Sequence, residues 1–167
     1  MRHPKTGSVE ALAKGSTVPV INAGDGPESH PTQGLLDVYT IWKQFGHLGG
    51  LTFGMVGDMK NSRVVHSQCA LLKHFGAKAK SKFIFVAPKG LEIPQELSNE
   101  LKEIGHEVQE TNDLQSVIAE LNVLSNTRIQ EERFESPEAY EKFRGAYSIS
   151  SELMSKAKKD MIVMWDI

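Results

Sequence analysis

One cysteine in 167 residues, Cys69, is too few for an internal disulfide framework or a cysteine-rich zinc site. An excess of one charge is missing as well. The 19 Lys and Arg face 21 Asp and Glu, a formal net charge of −2, which removes the electrostatic case for non-specific nucleic-acid binding. No apolar run approaches the roughly 18 residues of a membrane span. The opening residues MRHPKTGSVEALA lack the apolar core of a signal peptide. Several catalytic signatures are absent too: no HExxH, no GxSxG, no Walker phosphate loop and no complete GxGxxG. Gly54 and Gly57 copy part of a dinucleotide fingerprint with the wrong spacing, which disfavours an NAD enzyme. No histidine pair has zinc-motif spacing. The expectation is a cytoplasmic globular chain with no metal, no cofactor, no nucleic-acid partner and no membrane contact.

What is present is 40% hydrophobic and 24% charged sequence, ordinary for a globular protein. Residues 8–14 suit one or two helical turns, and Val18 to Ile21 reads as a short buried strand. A turn-rich stretch follows from Asn22 to Ser29. From Thr32 the spacing becomes helical, with Leu35, Leu36, Tyr39, Ile41, Trp42 and Phe45 as a broad apolar stripe ending at Gly46. Glycines 46, 49 and 50 suit a hinge. Beyond it strand and helix alternate: strands at 51–56, 82–87, 106–110, 123–124 and 161–164; helices at 64–75, 94–104, 114–121, 137–144 and 151–159. That alternation implies an α/β fold, a parallel sheet with helices on both faces. The two ends read unlike domain ends, since Arg2-His3-Pro4 has no polar leader and Met161 to Ile167 is an apolar strand-like run.

Ligands of such sheets sit outside the carboxyl ends of the strands. Those ends carry two polar segments, Gly57 to Arg63 and Ser125 to Gln130, and both bring arginine. Arginine grips carboxylate or phosphate through a planar fork. His30 and Gln33 fall just before or inside the first turn of the 32–45 helix, the end that favours anions. Plainer roles are open for each. His30 suits a loop histidine, Gln33 a capping residue, Asp58 a turn residue, and Arg63, Arg128 and Arg133 solvated charges. Cys69 suits a packed core position.

The segments occur together and in order. Arg2-His3-Pro4, Asn22 to Gly26, His30 to Gln33, the Val56 to Ser67 stretch (VGDMKNSRVVHS) and Thr127 to Phe134 (TRIQEERF) together resemble aspartate carbamoyltransferase over essentially the whole chain. The HPTQ segment is shared with ornithine carbamoyltransferase, whereas the arginine-bearing segments resemble the aspartate enzyme alone. The resemblance implies transfer of a carbamoyl group from carbamoyl phosphate to the α-amine of L-aspartate, in pyrimidine synthesis. It implies roles by position: Arg2 on the phosphate and reaching the second substrate, His30 on the carbamoyl oxygen, Gln33 on the carbamoyl amide. Arg63 and Arg128 would hold the two aspartate carboxylates, with Gln130 assisting. Residues 1–46 would be the end of a carbamoyl-phosphate-binding α/β domain with its linking helix. Residues 51–167 would be most of a Rossmann-like aspartate-binding domain, and the full-length parent a homotrimer.

The sequence also departs from the family pattern. Ser62 stands where glycine is usual, Ser125 where tyrosine is common, and Glu131 where lysine is usual. The Ser-Thr-Arg-Thr phosphate loop, the serine-and-lysine loop lent by a neighbouring subunit and a downstream His-Pro-Leu-Pro-Arg are not among these residues. The expectation is therefore that the chain alone has little or no activity. The alternative is a truncated carbamoyltransferase-like fragment with at most weak dicarboxylate binding.

Overall fold

Phe53 and Met55 turn their side chains to one side of their strand, and Gly54 and Val56 face the other. That period of two builds both layers of the molecule. The computed structural model describes residues 1–26, 28–75, 79–129, 136–141, 143 and 145–165, apart from the side chains of 137 and 139. Five strands, β1 (Thr52–Val56), β2 (Lys82–Val86), β3 (Glu107–Thr111), β4 (Val123–Asn126) and β5 (Ile162–Trp165), form one sheet in the order β3-β2-β1-β4-β5. Every pairing is parallel. The order reverses between β1 and β4, which makes their carboxyl ends the topological switch point.

The helices are α1 (Ser8–Gly15), α2 (Pro31–Phe45), α3 (Arg63–Phe75), α4 (Gln95–Glu103), α5 (Leu114–Val117, continued by a 3₁₀ turn to Glu120), α6 (Pro137–Glu141) and α7 (Ser151–Met154). One face packs Phe53, Met55, Phe83, Phe85 and Val123 against Val38 and Ile41 of α2, Val65, Cys69 and Leu72 of α3, and Leu101 of α4. The other packs Val56, Ile84, Val86 and Leu124 against Leu114, Val117, Ile118 and Leu121. Each such fully buried side chain contributes about 2 kcal/mol. The sheet is thus covered on both faces, as the alternation of strand and helix predicts. Among the described residues no helix is long and apolar enough to cross a membrane.

Three readings change. Val18 to Ile21 is not a buried strand: Val18 is 68% and Ile21 70% exposed. Pro19 offers no N–H to a ladder, and the run stays outside the sheet. The α2 stripe also divides, with Ile41 and Phe45 turned to the core. Leu35, Leu36, Tyr39 and Trp42 are about half exposed, and the buried face is Gly34, Asp37, Val38 and Ile41. Close approach of two helices decides this. A Cβ on Gly34 would lie 3.0 Å from Leu71 Cδ1 and 3.1 Å from Ser67 Cβ, so the glycine lets α2 press on α3. Finally, the 151–159 helix stops at Met154, where the Ser155 hydroxyl bonds back to the Glu152 carbonyl.

Candidate active site

The site begins with backbone. Residues 1–3 run beside 23–26: Ala23 N–H donates to Met1 O at 2.8 Å, His3 N–H to Gly24 O at 2.9 Å, and Gly26 N–H to His3 O at 2.8 Å. Buried Asp25 closes the corner by accepting the Gly7 N–H at 2.9 Å. Arg2 is thereby fixed against the glycine loop. Gly24 needs its lack of a side chain twice over. Its φ is 130°, and a Cβ would meet Arg2 Cγ and Arg63 Nη1 at 3.3 Å each. Two guanidinium-bearing side chains therefore close on one glycine.

Arg63 is the first residue of α3 and donates from Nη1 to Gly26 O at 3.0 Å. The loop that delivers it is tightly tied. Buried Asp58 accepts the Asn61 N–H at 2.9 Å and the Asn61 amide on both oxygens, while Met59 and Lys60 N–H both reach Leu91 O at 3.1 Å. The plain reading of Asp58 as a turn residue holds. Its consequence is a rigid launch for Arg63.

His30 is the N-cap of α2, with Pro31 at the first helical position. Its backbone N–H donates to Ser67 Oγ at 2.9 Å, which ties the start of α2 to α3. Its Nδ1 accepts the Gln33 backbone N–H at 3.3 Å. An accepting Nδ1 leaves the ring proton on Nε2. Burial, reinforced by the Arg63 and Arg2 guanidiniums, holds the imidazole below its ordinary value. The group is a neutral hydrogen-bond donor near pH 7, beside two cations.

Gln33 sits in the first turn of α2, and its Nε2 donates to Asp37 Oδ1 at 2.9 Å. It reaches forward along the helix, so its side chain is not the cap; that part belongs to His30. Arg128 stands just past the end of β4, exposed, on the wall of a cavity of about 440 Å³ with Gly57, Thr127, Tyr140, Phe143 and Trp165. Gly57, with φ 119°, lets the ends of β1 and β4 meet: a Cβ there would sit 2.2 Å from Thr127 O. Gln130 and Arg133 lie outside the described residues. Arg2, His30 and Arg63 are thus gathered on one loop, and Arg128 occupies the adjoining strand end. Cys69 is buried core, its thiol pushed up to about 12 by desolvation.

Sequence reasoning overlooked Asp37 and Gln68, which with Ser125 form a buried polar chain beneath Gln33. One signal was available. Asp37 is four residues after Gln33 and next to Val38, a polar residue at a core-facing position.

The sheet is that of a doubly wound α/β protein, and the cationic side chains near its switch point, with a neutral imidazole beside them, are of a chemistry that suits an anion. Family models agree on a narrower class. Residues 49–167 match the Asp/Orn binding domain of aspartate/ornithine carbamoyltransferase, and residues 1–43 match its carbamoyl-P binding domain. The chain belongs to the aspartate/ornithine carbamoyltransferase family. It is 44% identical to the aspartate carbamoyltransferase catalytic subunit of Methanopyrus kandleri, over 98% of this chain and 52% of that protein. Among solved structures, the catalytic subunit of M. jannaschii aspartate transcarbamoylase superposes with a TM-score of 0.85 at 40% identity, covering 98% of this chain and 52% of that one. The Trypanosoma cruzi enzyme in complex with carbamoyl phosphate gives 0.88 at 35% identity, over 99% and 53%. The chain spans about half the length of these relatives.

Proposed function

We propose that this chain serves the aspartate carbamoyltransferase reaction, in which carbamoyl phosphate and L-aspartate give N-carbamoyl-L-aspartate and phosphate for pyrimidine synthesis. Residues 1–46 supply the carbamoyl-phosphate side with its linking helix, and residues 51–167 the aspartate side. The working assembly is a homotrimer of the full-length parent. The single observation that carries the reading is the closure of Arg2 and Arg63 on Gly24 with neutral His30 beside them.

The chemistry follows from charge. The neutral α-amine of aspartate attacks the carbonyl carbon, negative charge grows on the carbonyl oxygen, and phosphate leaves from the tetrahedral intermediate, taking up the proton that the amine nitrogen loses. His30 donates from Nε2 to that oxygen, where a pre-aimed donor lowers the barrier. Its depressed proton affinity keeps it from entering as a third cation. Arg2 neutralises the phosphate, and Gln33 accepts from the carbamoyl amide. Arg63 and Arg128, with Gln130, take the two carboxylates of aspartate. A dianionic amino acid needs more than one arginine, whereas ornithine does not. With both reactants held, catalysis rests on orientation and charge stabilisation, and these residues require no covalent intermediate.

Choice of the second substrate tests this. In the presence of carbamoyl phosphate, equilibrium dialysis should show the chain retaining succinate, the dicarboxylate part of aspartate, and not ornithine. Retention of ornithine in place of succinate contradicts the proposal.

A further inference from the structure

Beneath the candidate site, a carboxylate is buried between three elements. Asp37 of α2, only 8% exposed, accepts Nε2 of Gln33 on Oδ1 at 2.9 Å and Nε2 of Gln68 of α3 on Oδ2 at 2.7 Å. Gln68 in turn accepts the hydroxyl of Ser125 of β4 on its Oε1 at 3.1 Å. The polarity of this chain is dictated from its middle. An ionised carboxylate only accepts, so each glutamine must turn its NH₂ toward Asp37 and its carbonyl oxygen away. We infer that Asp37 is a positioning residue: it orients the Gln33 amide so that Oε1, an acceptor, is the atom offered to the ligand's carbamoyl NH₂. This rests on the role given to Gln33 under the proposed function.

Without that anchor the two ends of the Gln33 amide are nearly equivalent in shape. A reversed amide would set NH₂ against NH₂, which loses a hydrogen bond and leaves a donor unpaired. Asp37 therefore acts on recognition of the carbamoyl amide and not on the anionic end of the ligand. Gln68 and Ser125 support it differently. The Ser125 hydroxyl can donate or accept, so Gln68 can reverse at little cost once residue 37 is an amide, whereas Gln33 cannot. An asparagine at 37 can keep its carbonyl toward Gln33 and let Gln68 turn over. A leucine there anchors neither.

The test compares two phosphonates that differ at one group. Phosphonoacetamide carries the amide, and 2-oxopropylphosphonate carries methyl in its place. By titration calorimetry the full chain should bind the amide about tenfold more tightly than the methyl ketone. Asp37→Leu should lose that preference by weakening phosphonoacetamide alone, and Asp37→Asn should keep it. Should the leucine variant fail to fold, the double variant Asp37→Leu with Gln68→Leu removes both buried polar partners and gives the same readout. If the leucine chains keep the preference, or bind both compounds equally more weakly, Asp37 is merely structural and the inference is wrong. If the native chain does not distinguish the two compounds, the role given to Gln33 is wrong and the inference falls with it.

Discussion

Gln33 donates its backbone N–H to Nδ1 of His30 at 3.3 Å, so the cap of one helix also sets the tautomer of the residue proposed to serve the carbamoyl oxygen. Local folding and chemistry share one contact. A change that spoils the cap therefore spoils the donor.

The pH dependence of His30 follows from its lowered proton affinity. As pH falls below about 6.5, the unfolded chain takes up this proton before the folded one. The stability His30 contributes is present above that value and is lost as pH falls through the folded-state value. His30→Asn, which keeps a capping side chain, should flatten this part of the curve. Urea midpoints of both chains between pH 7.5 and 5 check it; parallel curves mean that His30 is not held neutral by its surroundings.

Gly24→Ala should weaken anion binding more than it weakens the fold. The new methyl meets both Arg2 and Arg63 and takes an unfavourable φ, at a cost of about 1–2 kcal/mol in stability. Displacing Arg2 should lower phosphate affinity by about tenfold or more. Phosphate titration beside a thermal melt separates the two effects, and a normal phosphate affinity would place Arg2 elsewhere.

Cys69 should be inert until the chain unfolds. Its thiol is buried, lies 3.7 Å from Met55 Sδ, and has its proton affinity raised to about 12. Iodoacetamide at pH 8 should leave it unmodified in the native chain and alkylate it in urea. Cys69→Ser should cost about 1–3 kcal/mol by placing a hydroxyl in an apolar setting. Rapid native alkylation would contradict the packing of α3 on β1.

The outer face of α2 should govern solubility and not stability. Leu35, Leu36, Tyr39 and Trp42 expose a contiguous apolar surface. Leu36→Glu should shift the unfolding free energy by no more than about 0.5 kcal/mol while raising the concentration at which the chain stays monomeric. Sedimentation of the two chains at matched concentration reads this directly.

Much of the frame is legible in the sequence. β1 and β2 are apolar runs bounded by Gly57 and Pro88, and the arginine that begins α3 follows a turn whose residues announce it. The inward face of α2 is not legible. Hydrophobicity votes for Leu35, Leu36, Tyr39 and Trp42, yet Gly34 decides the matter because its missing side chain allows the closest approach to Ser67 and Leu71. Asp37 is then buried beside Val38; its partner Gln68 is 31 residues away along the chain, and Gln68's own partner Ser125 is 57 residues further on. Arg2 is legible only through the family resemblance, for a similar reason. Its place is set by backbone bonds to residues 23–26, a pairing that no local pattern encodes. A polar chain across three elements, and a backbone pairing across a loop, exist only once the chain is folded.

The central claim is that one site takes the phosphate and the dicarboxylate together. Titration with N-(phosphonacetyl)-L-aspartate, which joins both parts in one molecule, tests it most directly. The account predicts one molecule bound per site, with Arg63→Ala and Arg128→Ala each weakening binding by about 10- to 100-fold in chains that melt normally. Binding that neither substitution changes, or no binding by the folded chain at millimolar ligand, would contradict it.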